Sequence, residues 1–225
     1  TFDYRFCWVR DAAFTADALK KIGRDHEAKK LIEFIFNCTI PNNKHMQIMY
    51  GIHGETKLKQ KELPHLAGFK NTKPVVTGNP AHGQKQNDIY GSVIDMMYLY
   101  YVYYEYESRL PKKYWNFIKH LVHEIQTHWR QKDSGIWEFR GANQHFTYSK
   151  LMCFVGMDRA AQIAQQYGHE KEAENWMVTR DEIKEDLSKH AWNPDVRAFT
   201  MHYGSDALDA AVLLMSYHTV FAHDD

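Results

Sequence analysis

The residues most able to do chemistry lie in two short runs. The first is Ser134-Gly135-Ile136-Trp137-Glu138-Phe139-Arg140-Gly141. A glycine-flanked turn there puts Trp137 and Glu138 in a loop between two helices. A carboxyl group among apolar and aromatic neighbours has its charged form desolvated, which raises its pKa. That is the property a general acid needs to protonate a departing glycosidic oxygen near neutral pH. An exposed glutamate in a surface turn fits the same residues. The second run is Tyr4-Arg5-Phe6-Cys7-Trp8-Val9-Arg10-Asp11. Asp11 falls at the start of a helix, where the dipole favours an anion. Arg10 and Asp11 together offer donors and acceptors to adjacent hydroxyls, and Tyr4 or Trp8 can stack a ring face. A local ion pair beside core aromatics is the competing reading.

The elements that must position these groups are helices. Trp8, Ala12, Ala16, Leu19 and Ile22 share one helical face, and Gly23 supplies a stop; Ala28, Leu31, Ile32, Ile35 and Phe36 mark a second helix. A third is expected from about Asn87 to Glu107, and a fourth opens at Pro111 with Trp115 to Trp129 on its inner stripe. A fifth runs from Tyr148 to Gln166 and stops at Gly168. A sixth carries Ala173 to Leu187, and a seventh starts near Ser205-Asp206. The runs at 151–155 and 207–215 are apolar nearly all round, which predicts buried helices. Those at 114–130 and 170–190 are one-sided, which predicts surface helices. Alternation of the two kinds suits an inner ring wrapped by an outer one. No fixed-period repeat supports a solenoid.

The stretch from Thr39 to Gln86 is rich in Gly and Pro yet keeps Met, Ile, Tyr and Phe. It reads as ordered loops with short strands over one end of the helical body. No domain boundary appears in the 225 residues, so the chain is expected to be one segment of a single domain. It begins inside a functional-looking motif and is expected to belong to something longer.

Net charge is zero with His neutral, which excludes the basic signature of a nucleic-acid or anionic-membrane partner. No apolar run has the length of a membrane span. Three cysteines, Cys7, Cys38 and Cys153, without paired spacing argue for a reducing compartment and hence the cytoplasm. The fourteen histidines raise a metal hypothesis. His120, Glu124 and His128 recur at helical spacing. But His123 to His128 has one residue too many for a zinc-protease pattern, and a solvated polar face accounts for the run. No metal is expected.

Taken together, several blocks resemble a known family. Tyr4-x-x-x-Trp8-x-Arg10-Asp11, Gly83-Gln84-Lys85-Gln86-Asn87-Asp88 and Gly135-Ile136-Trp137-Glu138 occur in the order seen in glucoamylase-type glycoside hydrolases (glycoside hydrolase family 15). The family also includes glucodextranases and some prokaryotic trehalases. The runs Gln47 to Glu55, His145 to Ser149 and Tyr203 to Asp209 resemble blocks of its bacterial and archaeal branch. The resemblance covers essentially the whole chain. It implies an all-α fold, an (α/α)6 barrel that is incomplete in this chain. It implies hydrolysis of α-glucosidic bonds from the non-reducing end with inversion, no cofactor, and an α-glucan oligosaccharide or trehalose as substrate.

By the same carry-over, Glu138 is the general acid, and Arg10 and Asp11 hold the terminal glucose. Trp8 and Tyr4 wall that subsite, Trp137 flanks the acid, and Gln86 and Asp88 line or support the pocket. Glu55, His82 and Arg140 complete the candidate set. Phe139 stands where fungal members have a second carboxylate, and His82 where they have a tryptophan. Both positions face the leaving sugar in the family, so the leaving-group preference is open. Inversion needs a second carboxylate. Glu55, Asp133 and Asp206 lie in expected loops but match no base motif, so the base is expected beyond residue 225. Seven helices would leave an apolar face to be covered by another segment or by a homo-oligomer. Two alternatives stand beside this reading: a trehalase of the same family, and a non-catalytic sugar-binding module that keeps the fold.

Overall fold

The computed structural model describes residues 3–39, 46–104 and 109–221. Six long helices dominate it. Helices α1 (Val9–Lys21) and α2 (Asp25–Thr39) form the first antiparallel pair. Helices α3 (Asp88–Tyr98) and α4 (Lys112–His128) form the second, and α5 (Thr147–Gln166) and α6 (Glu170–His190) the third. Gly23 and Gly168, both with φ +75°, take the left-handed turn that ends α1 and α5. Helix α6 carries Glu170 and Glu172 in its first turn and Lys189 and His190 in its last, matching its dipole.

The two kinds of helix take different places. On α3 nearly every residue is buried, and on α5 every residue from Thr147 to Met157 is. Helices α2, α4 and α6 bury one face; on α4 it is the stripe Trp115, Ile118, Leu121, Val122 and Ile125. Helix α3 packs on both α1 and α5, and α5 packs on α6. The inner layer is therefore α1, α3 and α5, with α2, α4 and α6 outside. Helices α3 and α5 approach closely at Gly91 and Gly156. A Cβ on Gly91 would stand 1.8 Å from the Met152 carbonyl oxygen, and one on Gly156 2.8 Å from the Gly91 Cα. Only glycine lets these backbones meet.

All three inner helices start at one end of the body. The loop-rich segment lies across that end, with strand pairs as expected. Strand β1 (Cys7–Trp8) pairs antiparallel with β2 (Met49–Tyr50), and β3 (Lys61–Glu62) with β4 (Val76–Thr77). Asp3 ties the amino-terminal stretch to this cover, accepting from the Gly78 amide at 2.9 Å. Its paired hydrogen bonds from Arg5 hold its carboxyl well below the usual carboxylate range. A third antiparallel pair, β5 (Trp192–Asn193) and β6 (Ala198–Phe199), follows α6.

Two expectations need correction. The third helix gives way after Tyr98 to a π-helical turn, Leu99–Tyr103, and residues 105–108, where its expected end falls, lie outside the described residues. The seventh helix does not start at Ser205-Asp206. Those residues are loop, and Asp209 caps a 3-10 turn, Ala210–Leu213, that leads into one short helix, α7 (Leu214–Tyr217). Nor is the run buried all round, because Leu208 and Leu213 are exposed. An all-apolar run is buried only when neighbours cover each side, and no described element covers that one. Among the described residues no helix is long and apolar enough to cross a membrane.

Candidate active site

Trp8 closes β1 with extended backbone and serves as the N-cap of α1, so Arg10 and Asp11 fall in the first helical turn. Successive helical residues point about 100° apart. Arg10 therefore turns into the body while Asp11 opens to solvent. Arg10 Nη1 donates to Asp88 Oδ2 at 2.8 Å and to Gln86 Oε1 at 3.0 Å. Asp88 is wholly buried in the first turn of α3. Burial opposes the charge on Arg10, but the Asp88 carboxylate and Asp11 outweigh it, and the guanidinium is held above its ordinary value. Gln86 and Asp88 thus stand behind Arg10 as its support.

The loop between α4 and α5 brings Glu138. Asp133 anchors it by accepting from the Asn87 amide at 2.7 Å, next to the start of α3. Burial pushes the Asp133 carboxyl up to about 6, against that hydrogen bond. Gly135 follows with φ +67°, and its missing side chain leaves room for the Phe146 ring. Glu138 itself has φ +56°, a conformation that costs a non-glycine residue ~1–2 kcal/mol. The turn is closed by the Glu138 amide donating to the Gly135 carbonyl at 3.3 Å and the Phe139 amide to the Ser134 carbonyl at 3.2 Å, and Gln84 Nε2 donates to the carbonyl oxygens of both Glu138 and Phe139, each at 3.2 Å.

This turn aims the Glu138 carboxyl at α1, where Trp8 Nε1 donates to its Oε1 at 2.7 Å. An indole N–H can only donate. Oε1 is therefore the accepting oxygen of this pair. Trp137 points the other way and donates from Nε1 to Asp209 Oδ2 at 3.0 Å, while Asp209 Oδ1 caps the Ala211 amide.

A cavity of about 710 Å³ opens between α1 and this turn, walled by Tyr4, Trp8, Asp11, Phe14, Trp137 and Glu138, with Arg10 at its floor. Tyr4 and Trp8 lie 5.6 Å apart with a 34° tilt. Tyr4 and Trp137 are each more than half exposed. Aromatic faces, one exposed carboxylate, one held carboxyl and a buried guanidinium make a surface suited to a neutral polyhydroxylated ring.

Six of the expected residues, Tyr4, Trp8, Arg10, Asp11, Trp137 and Glu138, therefore meet at one cavity. Glu55, His82 and Arg140 are not among its lining residues. Glu55 turns back on its own loop and accepts from the His53 amide at 3.0 Å. His82 faces the Asn79 carbonyl at 2.8 Å and lines a neighbouring cavity with Gln84. Arg140 is exposed beyond the turn. Glu124 is buried and lies 3.7 Å from His128. Among the described residues no three His, Cys, Asp or Glu side chains are gathered to hold a metal. Sequence reading missed Gln84 and Asp209. Both lie inside quoted blocks, but side-chain contacts to a turn far away in sequence leave no local pattern.

Residues 2–225 match the family model described as Glycosyl hydrolases family 15. The chain is 41% identical over 228 residues to a protein of Mycobacterium tuberculosis named trehalase, covering 100% of this chain and 33% of that one. It is 33% identical to trehalase 2 of Sulfolobus acidocaldarius, over 95% of this chain and 37% of that one. The chain thus spans about a third of the length of these curated relatives. Its fold superposes on the glucoamylase of Saccharomycopsis fibuligera with a TM-score of 0.67 at 17% identity, covering 89% of this chain and 44% of the other. The inner and outer helix layers are accordingly part of an (α/α)6 barrel.

Proposed function

The chain belongs to the glycosyl hydrolases of family 15, and from that membership we propose that it carries the sugar-holding and acid-bearing part of an inverting α-glucoside hydrolase. The observation that carries the reading is the Trp8–Glu138 hydrogen bond, 2.7 Å across 130 residues, in a cavity that also holds Asp11 and the Asp88-backed Arg10.

The geometry supports the following roles. Asp11 accepts from hydroxyls of the terminal glucose, Arg10 donates to them, and Tyr4 and Trp8 wall the ring. Glu138 gives its proton to the glycosidic oxygen as the bond from that oxygen to C1 breaks. Water attacks C1 from the opposite face and loses its proton to a second carboxylate. Among the described residues only Asp11 and Glu138 are carboxylates lining the cavity. Asp11 is assigned to the sugar, so the base is supplied from outside the described residues. The acid–base pair needs no cofactor.

Trehalose is the substrate we favour, since the relatives at 41% and 33% identity bear the name trehalase. The test is glucose release by the full-length protein on trehalose, maltose and isomaltose, beside Glu138→Gln, with the anomer of the first product read by NMR. Turnover yielding β-glucose, reduced about 100-fold or more in the variant, supports the reading. Sugar binding without turnover would replace it with a non-catalytic module. An active Glu138→Gln variant would remove the acid assignment.

A further inference from the structure

Gln84 is not among the residues lining the cavity, yet it joins the two halves of the site. Its single amide nitrogen serves two successive carbonyls, those of Glu138 and Phe139, at 3.2 Å each. Its amide oxygen accepts from Gln86 Nε2 at 3.3 Å, and Gln86 Oε1 accepts from Arg10 Nη1 at 3.0 Å. The chain of contacts has a fixed sense. Arginine only donates, so the Gln86 oxygen must face it and the Gln86 nitrogen must face Gln84. That turns the Gln84 oxygen towards Gln86 and its nitrogen towards the carbonyls, which only accept. Neither amide can flip without opposing like partners.

We propose that Gln84 is a positioning residue for Glu138: its carboxamide holds the left-handed acid turn and locks that turn to the buried Arg10–Asp88 pair. The inference rests on the catalytic reading of Glu138 given above. The carboxyl meets Trp8 Nε1 with the backbone of Glu138 at positive φ. Losing the Gln84 donors leaves the turn with only its backbone hydrogen bonds to Gly135 and Ser134, and it relaxes. The acid then moves relative to the glycosidic oxygen while the walls of the sugar site stay in place.

Two variants of matched length test this in the full-length protein. Gln84→Glu sets carboxylate oxygens against the carbonyls, and Gln84→Met removes the donors without adding charge, which keeps the test open if the first folds poorly. Each is assayed on trehalose or maltose, whichever the parent hydrolyses, and on α-glucosyl fluoride. Fluoride leaves C1 with little help from an acid, whereas a departing sugar needs the proton. A displaced acid should lower kcat on the disaccharide about 100-fold with KM within about threefold, and lower kcat on the fluoride less than about fivefold. Equal losses on both substrates, a change in KM alone, or no loss would overturn the inference. If Glu138→Gln, run in parallel, still spares the fluoride selectively, the acid assignment survives that failure. If Glu138→Gln turns over the disaccharide like the parent, or the parent hydrolyses none of these compounds, the catalytic reading fails and this one with it.

Discussion

Arg10 and Asp11 are neighbours in the chain that face opposite ways: the Arg10 side chain is 8% exposed against Asp88, and the Asp11 side chain is 69% exposed in the cavity. One residue belongs to the foundation of the site and the other to its surface. Substitution of Arg10 should therefore cost stability as well as binding, and substitution of Asp11 binding alone. Arg10→Ala leaves Asp88 buried without its cation and should cost about 3–5 kcal/mol. Asp11→Asn should leave stability within about 0.5 kcal/mol and weaken glucose binding. Urea denaturation beside calorimetric titration with glucose reads both. Equal destabilisation by the two variants would contradict the division.

Trp8→Phe keeps the ring stack with Tyr4 but removes the N–H that meets Glu138 Oε1. The expected result is a fall in kcat of roughly 10- to 100-fold with the unfolding midpoint nearly unchanged. An unaltered kcat would mean that the indole hydrogen bond does not orient the acid.

Asp133 and Asp3 should give the stability curve two separate pH windows. The folded-state value of Asp133 is raised to about 6, above the ~3.9 of an unfolded aspartate. Its contribution is thus fully present below about pH 4 and is lost as pH rises through about 6, on the order of 3 kcal/mol. Asp3 has the opposite sign. Its carboxyl is depressed by Arg5, so its contribution is present above the unfolded value and is lost as the solution becomes strongly acidic. Denaturant melts of Asp133→Asn between pH 4 and 7 should be flatter than those of the parent. Parallel curves would refute the assignment.

Gly91→Ala should be among the most damaging small substitutions, because its Cβ would meet a backbone carbonyl that cannot swing aside. Overpacking of this kind costs about 1–3 kcal/mol or more. A thermal melt of the variant within a degree of the parent would show that α3 and α5 separate easily.

The helical framework was legible because it depends on side-chain period alone. The run at 151–155, apolar nearly all round, lies in the buried α5, the one-sided runs became α4 and α6, and Gly23 and Gly168 ended helices where left-handed turns are needed. The same logic misread residues 207–215, since apolar character says that a side should be covered but not whether anything covers it. Of the site, the runs around Arg10 and Glu138 stood out by residue type. Gln84 did not, because its role depends on a positive φ at Glu138, and a glutamate carries no propensity that announces one.

The Trp8–Glu138 contact also has a consequence in time. The partners are separated by 130 residues, and ribosomes add about 5–20 residues per second, so Glu138 emerges on the order of ten seconds after Trp8. Asp209, the partner of Trp137, follows later still. During synthesis the aromatic strip of Tyr4, Phe6 and Trp8 can already be anchored through the pairing of β1 with Met49 and Tyr50, the Asp3–Gly78 bond and the Arg10–Asp88 pair, but its indole still lacks its carboxyl partner. The nascent chain thus presents the Tyr4–Trp8 ring pair as an adhesive surface well before the Glu138 turn can make it one wall of a pocket.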